Sequence, residues 1–314
     1  MPSDANALLI AATGEDPVPY RDALRAHMPD LEIHAEGEAY DPATIGYSLV
    51  WQPAPGLMAS LPNLKAIFSM GAGIDHILAD PALPAEVPIV RLMHDKTREQ
   101  MRDYVLHAVL HYYRQMDVAA AQQAEGAWRF LQIRDKAALP VGFLGMGEMG
   151  RAAATALAGL GFTVMGWSRS PKDIPGVECH SGAEGLAAML ARTRFLISVL
   201  PATPDTVGLL DAALFAQLPR GAVVVNLGRG NHLVAGDLLA ALDSGQVGAA
   251  TLDVFDPEPV PADSPFWTHP GVRLTPHIGS DGNAAICGEA VSENIRRMSA
   301  GGAPAPLGDR ARGY

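Results

Sequence analysis

The feature that most restricts the fold of this chain is an alternation repeated almost from end to end, in which short apolar runs with strand character are followed by stretches with helical spacing. That pattern belongs to parallel sheets covered by helices, because joining two parallel strands takes a crossover long enough to hold a helix. The first series runs ALLIAA, YSLVWQ, LKAIFSM and VPIVRL. A helix is predicted from about Lys96 to Met116, where Met101, Tyr104, Val105, Ala108, Val109 and Tyr112 recur at helical spacing. The polar segment after it reads as a helix end and surface loops. A second series opens at PVGFLGMG and continues through FTVMGW, FLISVL, AVVVNL, AATLDVF and VRLTPH, with MGRAAATALAGL and DLLAALDSG as helices between them. A last helix is predicted from about Ala284 to Met298, ahead of a Gly/Pro-rich tail. The economical arrangement is two doubly wound parallel-sheet α/β domains. Residues 97–283 form a compact inserted domain, residues 1–96 and 284–314 form the other, and a cleft is expected between them.

Composition removes several classes of function. A chain of 314 residues, 48% hydrophobic and 18% charged, can bury two cores and has an ordinary soluble balance. The most apolar N-terminal stretch, ALLIAAT, is too short for a span and follows no basic residues, so a cytoplasmic protein without membrane association is expected. Cys179 and Cys287 lie far apart with no CxxC or His-rich partner, which suggests neither a disulfide framework nor a metal site. The net charge of −11 argues against nucleic acid and acidic membranes as partners. Any anion must be held by a few local cations and backbone N–H groups.

One such place stands at VGFLGMGEMGRAAA, where Gly145, Gly147 and Gly150 form GxGxxG directly after an apolar run and before a small-residue helix. The first glycine permits a tight turn, the second lets a pyrophosphate approach the backbone, and the third lets helix and strand pack closely. The phosphates would rest on the N–H groups at the helix start. In this dinucleotide-binding arrangement an acidic residue after the next strand accepts hydrogen bonds from the adenosine ribose, but here the chain offers Ser168, Arg169, Ser170 and Lys172. A carboxylate would repel a 2′-phosphate, whereas a guanidinium and hydroxyls would bind it. NADPH is therefore expected in preference to NADH.

Three further stretches fall at expected strand ends: NLGRG with Arg229, DVFDPEP with Glu258, and LTPHIG with His277. Each alone is compatible with a surface Arg, a solvated acid or a capping His. Together they match what reduction of a 2-keto acid needs: a cation to orient the carboxylate and polarise the carbonyl, a proton donor for the developing alkoxide, and a group that keeps the donor protonated near neutrality.

With these residues in place the sequence resembles the D-isomer-specific 2-hydroxyacid dehydrogenases, and within them the glyoxylate/hydroxypyruvate reductases. The likeness runs through MGAGIDHIL, EQMRDYVLHAVLHYYRQ, LPATPDTVGLL, NLGRG, AALDSGQVGAATLDVFDPEP and SPFWTHPGVRLTPHIG in the family's order. The resemblance implies a Rossmann cofactor domain inserted in a flavodoxin-like substrate domain, and a homodimer formed through the segment around residues 100–140. It makes Arg229, Glu258 and His277 catalytic, with His277 as acid/base. It assigns the cofactor to Gly145, Met146, Gly147, Glu148, Met149 and Gly150, and to Trp167, Ser168, Arg169, Ser170 and Lys172. Leu200, Pro201, Thr206, Leu227 and Gly228 complete that surface, and Asp253 would lie near the nicotinamide carboxamide. A small 2-keto acid would meet Ala72 and Gly73 through backbone N–H groups, Trp51 along the substrate side, and Arg229 and His277. Two stretches depart from the family pattern: Met93 and His94 stand where an acidic pair is expected, and GSDGNAA after His277 is richer in glycine and polar groups.

Two other readings share parts of the pattern. The 3-hydroxyisobutyrate-type dehydrogenases place the glycine turn at the chain start, whereas about 140 residues precede it here. A dinucleotide-sensing binding protein of the same fold would bind the cofactor without turnover.

Overall fold

A computed structural model describes residues 5–314. The chain divides into two compact units, one made of residues up to Thr97 together with Asp281–Tyr314, the other of Arg98–Ser280. Each carries one wholly parallel sheet.

In the first unit β1 (Ala7–Ala12), β2 (Ile33–Ala35), β3 (Ile45–Trp51), β4 (Ala66–Ser69) and β5 (Ile89–Val90) lie in the order β2-β1-β3-β4-β5, the flavodoxin-like order. Side chains along β1 alternate between two cores, Leu8 and Ile10 on one face and Ala7, Leu9 and Ala11 on the other. Both faces are thus covered, which is why the run reads as continuously apolar rather than alternating. Helix Ala284–Ser299 returns to this unit and supplies Ile286, Val291 and Ile295 to its core.

In the second unit β6 (Val141–Leu144), β7 (Val164–Trp167), β8 (Glu178–His180), β9 (Phe195–Ser198), β10 (Ala222–Asn226), β11 (Val247–Leu252) and β12 (Val272–Leu274) lie in the order β12-β11-β10-β9-β6-β7-β8. This is the doubly wound Rossmann order, with the reversal of direction between β6 and β9. Phe195 and Ile197 of β9 face one core and Leu196 the other.

Two short strands, β2 and β8, carry little apolar signal and are missing from the sequence reading. The long helix spans Asp95–Tyr113 and presents Met101, Val105, Ala108 and Val109 to the second sheet. It stops because Gln115 takes a left-handed φ of 55°, its side-chain amide donating to the Gln132 carbonyl at 2.7 Å. A second helix, Met116–Ala124, then runs into the segment read as a helix end and surface loops. Among the described residues no helix is long and apolar enough to cross a membrane, and no cluster of His, Cys, Asp or Glu could hold a metal ion.

Candidate active site

Because every strand of the second sheet runs the same way, the loops after β6, β7, β9, β10, β11 and β12 share one edge. The glycine turn comes first. Gly145 takes φ +102° and donates its N–H to the Trp167 carbonyl at 3.0 Å. Gly147 caps helix Glu148–Gly159 with no side chain covering its first N–H groups, and nothing lies within 4 Å of where a Cβ would stand. At Gly150 a Cβ would fall 2.0 Å from the Gly145 carbonyl oxygen. Close packing at one glycine and open space before bare helix donors at another fit a phosphate group. Met146 points the other way, its sulfur packed on Gly166 of β7, so only its backbone faces the turn. Glu148 has its carboxylate 4.0 Å from Arg98, and Met149 is half-buried against the core.

After β7 the Trp167 indole donates to the Gly182 carbonyl at 2.9 Å. The Ser168 hydroxyl donates to the Ser170 carbonyl at 2.8 Å, closing a turn that leaves Arg169, Ser170 and Lys172 exposed. Ser168 thus shapes the turn, and the two cations stand on its outside. After β9, Leu200 is buried and Pro201 half-buried. The Thr206 hydroxyl accepts from Thr203 N–H at 2.9 Å and lies 2.9 Å from the Pro201 carbonyl, so it ties its own loop.

The loop after β10 is knotted by buried Asn226, whose amide donates to the Arg229 carbonyl at 2.9 Å and whose oxygen accepts from Gly228 N–H at 3.3 Å. Leu227 and Gly228 are buried beneath it, and the Arg229 guanidinium donates to the Gly228 carbonyl at 2.9 Å. Glu258 accepts the Phe255 N–H on Oε1 at 2.8 Å and holds Nδ1 of His277 on Oε2 at 2.9 Å. Burial pushes the Glu258 carboxyl up, but hydrogen bonds from His277 and Phe255, with the charges of His277 and Arg229, outweigh it and hold its pKa below the usual carboxylate range. The structure therefore brings Arg229, Glu258 and His277 to one place. His277 itself has φ 54°, a conformation uncommon outside glycine, and its N–H donates to the Asp253 carbonyl at 2.9 Å. The Asp253 carboxylate is buried and accepts from Thr275 Oγ1 at 2.6 Å, Ile278 N–H at 2.9 Å and Gly279 N–H at 2.7 Å.

In the first unit the predicted substrate residues also stand at strand ends. The Trp51 ring lies 4.7 Å from the His76 ring, and a Cβ on Gly71 would be 3.1 Å from the indole. Arg91 Nε donates to the Ala72 carbonyl at 2.7 Å, and Ser69 Oγ donates to the Gly73 carbonyl at 3.0 Å. Carbonyl and N–H of one trans peptide point in opposite directions, so fixing the Ala72 oxygen turns the Gly73 N–H the other way. His94, where an acidic residue was expected, accepts the Lys96 N–H on Nδ1 at 3.2 Å and so serves the start of its own helix. Asn226, Thr275, Ser69, Arg91 and His76 were not singled out from the sequence, although Asn226 in NLGRG and Thr275 in LTPHIG stand close to residues that were.

The model of the D-isomer specific 2-hydroxyacid dehydrogenase NAD binding domain matches residues 106–279. The chain belongs to the D-isomer-specific 2-hydroxyacid dehydrogenases. A glyoxylate/hydroxypyruvate reductase A of Yersinia enterocolitica is 43% identical to this dehydrogenase over 93% of this chain and 94% of its own. A dehydrogenase of the same family from Xanthobacter autotrophicus, solved with NADPH and MES, superposes with a TM-score of 0.94 at 39% identity, covering 99% of this chain and 100% of its own. The NADPH-dependent glyoxylate/hydroxypyruvate reductase of Sinorhizobium meliloti, solved with NADP and sulfate, gives a TM-score of 0.91 at 38% identity over 98% of this chain and 100% of its own.

Proposed function

We propose that this dehydrogenase reduces small 2-keto acids such as glyoxylate and hydroxypyruvate to 2-hydroxy acids, with NADPH in preference to NADH. The observation that carries the reading is the ion-pair geometry of Glu258 and His277 at the sheet edge where the glycine turn also stands. With Nδ1–H donated to Glu258, Nε2 is the nitrogen that would give a proton to a substrate oxygen. The anionic carboxylate stabilises the charged imidazolium that reduction requires. Arg229 offers a fork of donors that suits a carboxylate and a polarised carbonyl. The dihydronicotinamide, when bound, supplies the hydride. Its phosphates would rest on the bare N–H groups after Gly147, and Arg169 with Lys172 would attract the 2′-phosphate. The NADPH and NADP bound in the two structural relatives support that preference.

A homodimer is part of the same reading, supported by Trp128 and Phe130, apolar side chains almost wholly exposed on the segment after Met116–Ala124. The free thiols of Cys179 and Cys287 suit a reducing, cytoplasmic setting.

The test is turnover of glyoxylate and hydroxypyruvate followed by NADPH absorbance, with His277→Ala and Arg169→Ala alongside. His277→Ala should nearly abolish turnover while NADPH still binds. Arg169→Ala should weaken NADPH use by about tenfold or more and leave NADH use unchanged, since a hydrogen bond to a charged group contributes roughly 1.5–3 kcal/mol. Tight NADPH binding with no turnover of any 2-keto acid would instead make the protein a sensor.

A further inference from the structure

We propose that Tyr104 is a positioning residue for the proton donor, acting on His277 through a half-buried hydrogen-bonded chain from Tyr104 to Thr275 to the buried Asp253. The proposal rests on the reading of His277 as acid/base. The Tyr104 hydroxyl lies 2.5 Å from Thr275 Oγ1, which in turn lies 2.6 Å from Asp253 Oδ1. A carboxylate only accepts, so the single proton of Thr275 is committed to Asp253 and Tyr104 must donate to Thr275. Burial pushes the Tyr104 pKa up to about 12 against the opposing hydrogen bond to Thr275, so the phenol keeps its proton at any working pH.

The far end of the chain is the His277 loop. Asp253 takes Ile278 and Gly279 on its two carboxylate oxygens and His277 on its carbonyl, gripping the residue itself and the two that follow. That grip is tight: a Cβ on Gly279 would fall 2.9 Å from Asp253 Oδ2. A histidine at φ 54° persists only where its surroundings over-determine it, and Thr275 is the one side-chain donor among the three groups that hold the Asp253 carboxylate. Tyr104 sits on the long helix whose inner face is buried under the sheet, so its hydroxyl is a rigid anchor rather than a mobile one. Tyr112, two turns along the same helix, provides an internal control. Its hydroxyl lies 2.8 Å from Thr251 Oγ1 and leads to no residue of the His277 loop.

The experiment compares Tyr104→Phe, Tyr112→Phe, Thr275→Val, Thr275→Ser and the double variant Tyr104→Phe/Thr275→Val in NADPH-dependent glyoxylate reduction, well below each variant's melting temperature. Tyr104→Phe should lower kcat about tenfold with KM and the NADPH dissociation constant within about twofold, the signature of a misplaced catalytic group rather than lost binding. Tyr112→Phe should lose similar stability but keep its kcat. Thr275→Val should fall further, Thr275→Ser should recover most of the activity, and the double variant should be no worse than Thr275→Val, because serial links do not add. Equal kcat in Tyr104→Phe and Tyr112→Phe, or additive losses in the double variant, would overturn the proposal. His277→Ala separates the two levels: if it retains turnover, the acid/base reading fails, whereas if it is dead and Tyr104→Phe is unimpaired, only the positioning role falls.

Discussion

The turn after β6 and the loop after β12 stand at the same edge of one sheet and are built by opposite means. The turn is shaped by missing atoms, with Gly150 packed so closely that a Cβ would fall 2.0 Å from the Gly145 oxygen. The loop is shaped by a single buried carboxylate, Asp253, that gathers donors from Thr275, Ile278 and Gly279. A turn made by omission breaks when one methyl is added, and a loop made by a hub breaks when what it holds is altered.

The largest expected effect tests the turn. In Gly150→Ala the new methyl meets backbone that cannot swing aside, so a loss of roughly 3 kcal/mol in stability is expected, at the upper end of overpacking costs. Gly147→Ala meets nothing within 4 Å, and its φ of −75° suits any residue. It should melt like the parent while its NADPH dissociation constant rises about tenfold or more, because the methyl fills the space where a phosphate would approach. Thermal melts and cofactor titrations on the pair separate packing from binding. Equal melting of the two would mean that the closeness at Gly150 is not structural.

A smaller effect tests the loop through its charge. The Glu258 pKa is held below its ordinary value of 4.5, so the carboxylate keeps its charge as pH falls past that value. Its contribution to stability is fully present above 4.5 and is lost only as pH drops through the lowered pKa. Reduction in the parent should therefore persist into acid until Glu258 takes a proton. Glu258→Gln keeps the shape and removes the charge at every pH. Reductive kcat/KM at neutrality should drop about tenfold, since the proton donor loses the anion that holds its ring. An unchanged kcat/KM would make Glu258 a loop residue only.

The same contrast explains what was legible in the sequence. Glycines needed for close approach announce themselves in GxGxxG, and so did the strand, turn and helix around them. Both doubly wound sheets could be read from apolar runs because parallel strands are covered on both faces, whereas β2 and β8, three residues each, could not. Arg229, Glu258 and His277 were visible as residue types at strand ends. Their supports were not: Tyr104 reads as one more residue of a helical stripe, and nothing local says that its hydroxyl ends 171 positions away on Thr275. Asp253 was expected beside the nicotinamide, but its carboxylate is engaged by the His277 loop, a role that depends on three donors from a distant segment.

Thr206 gives the smallest expected effect and the finest division between the two ways of building a loop. Its place in LPATPDTV suggested a cofactor contact, yet its hydroxyl sits among the Thr203 N–H and the Pro201 and Thr203 carbonyls, and the residue is only 9% exposed. It is thus a hub in miniature, like Asp253 but neutral. Thr206→Val keeps the volume and strands the Thr203 N–H, so it should cost about 1 kcal/mol, the usual worth of one hydrogen bond. In a unit of the size of Arg98–Ser280 that is a fall of roughly 2–4 °C in Tm. NADPH affinity should change by less than about threefold, because a shifted loop and not a lost ligand is the consequence. The decisive measurement is the pairing of a melt with a cofactor titration on one sample. An unchanged Tm with a tenfold weaker NADPH would make the hydroxyl a cofactor ligand and move this loop to the turn's side of the comparison.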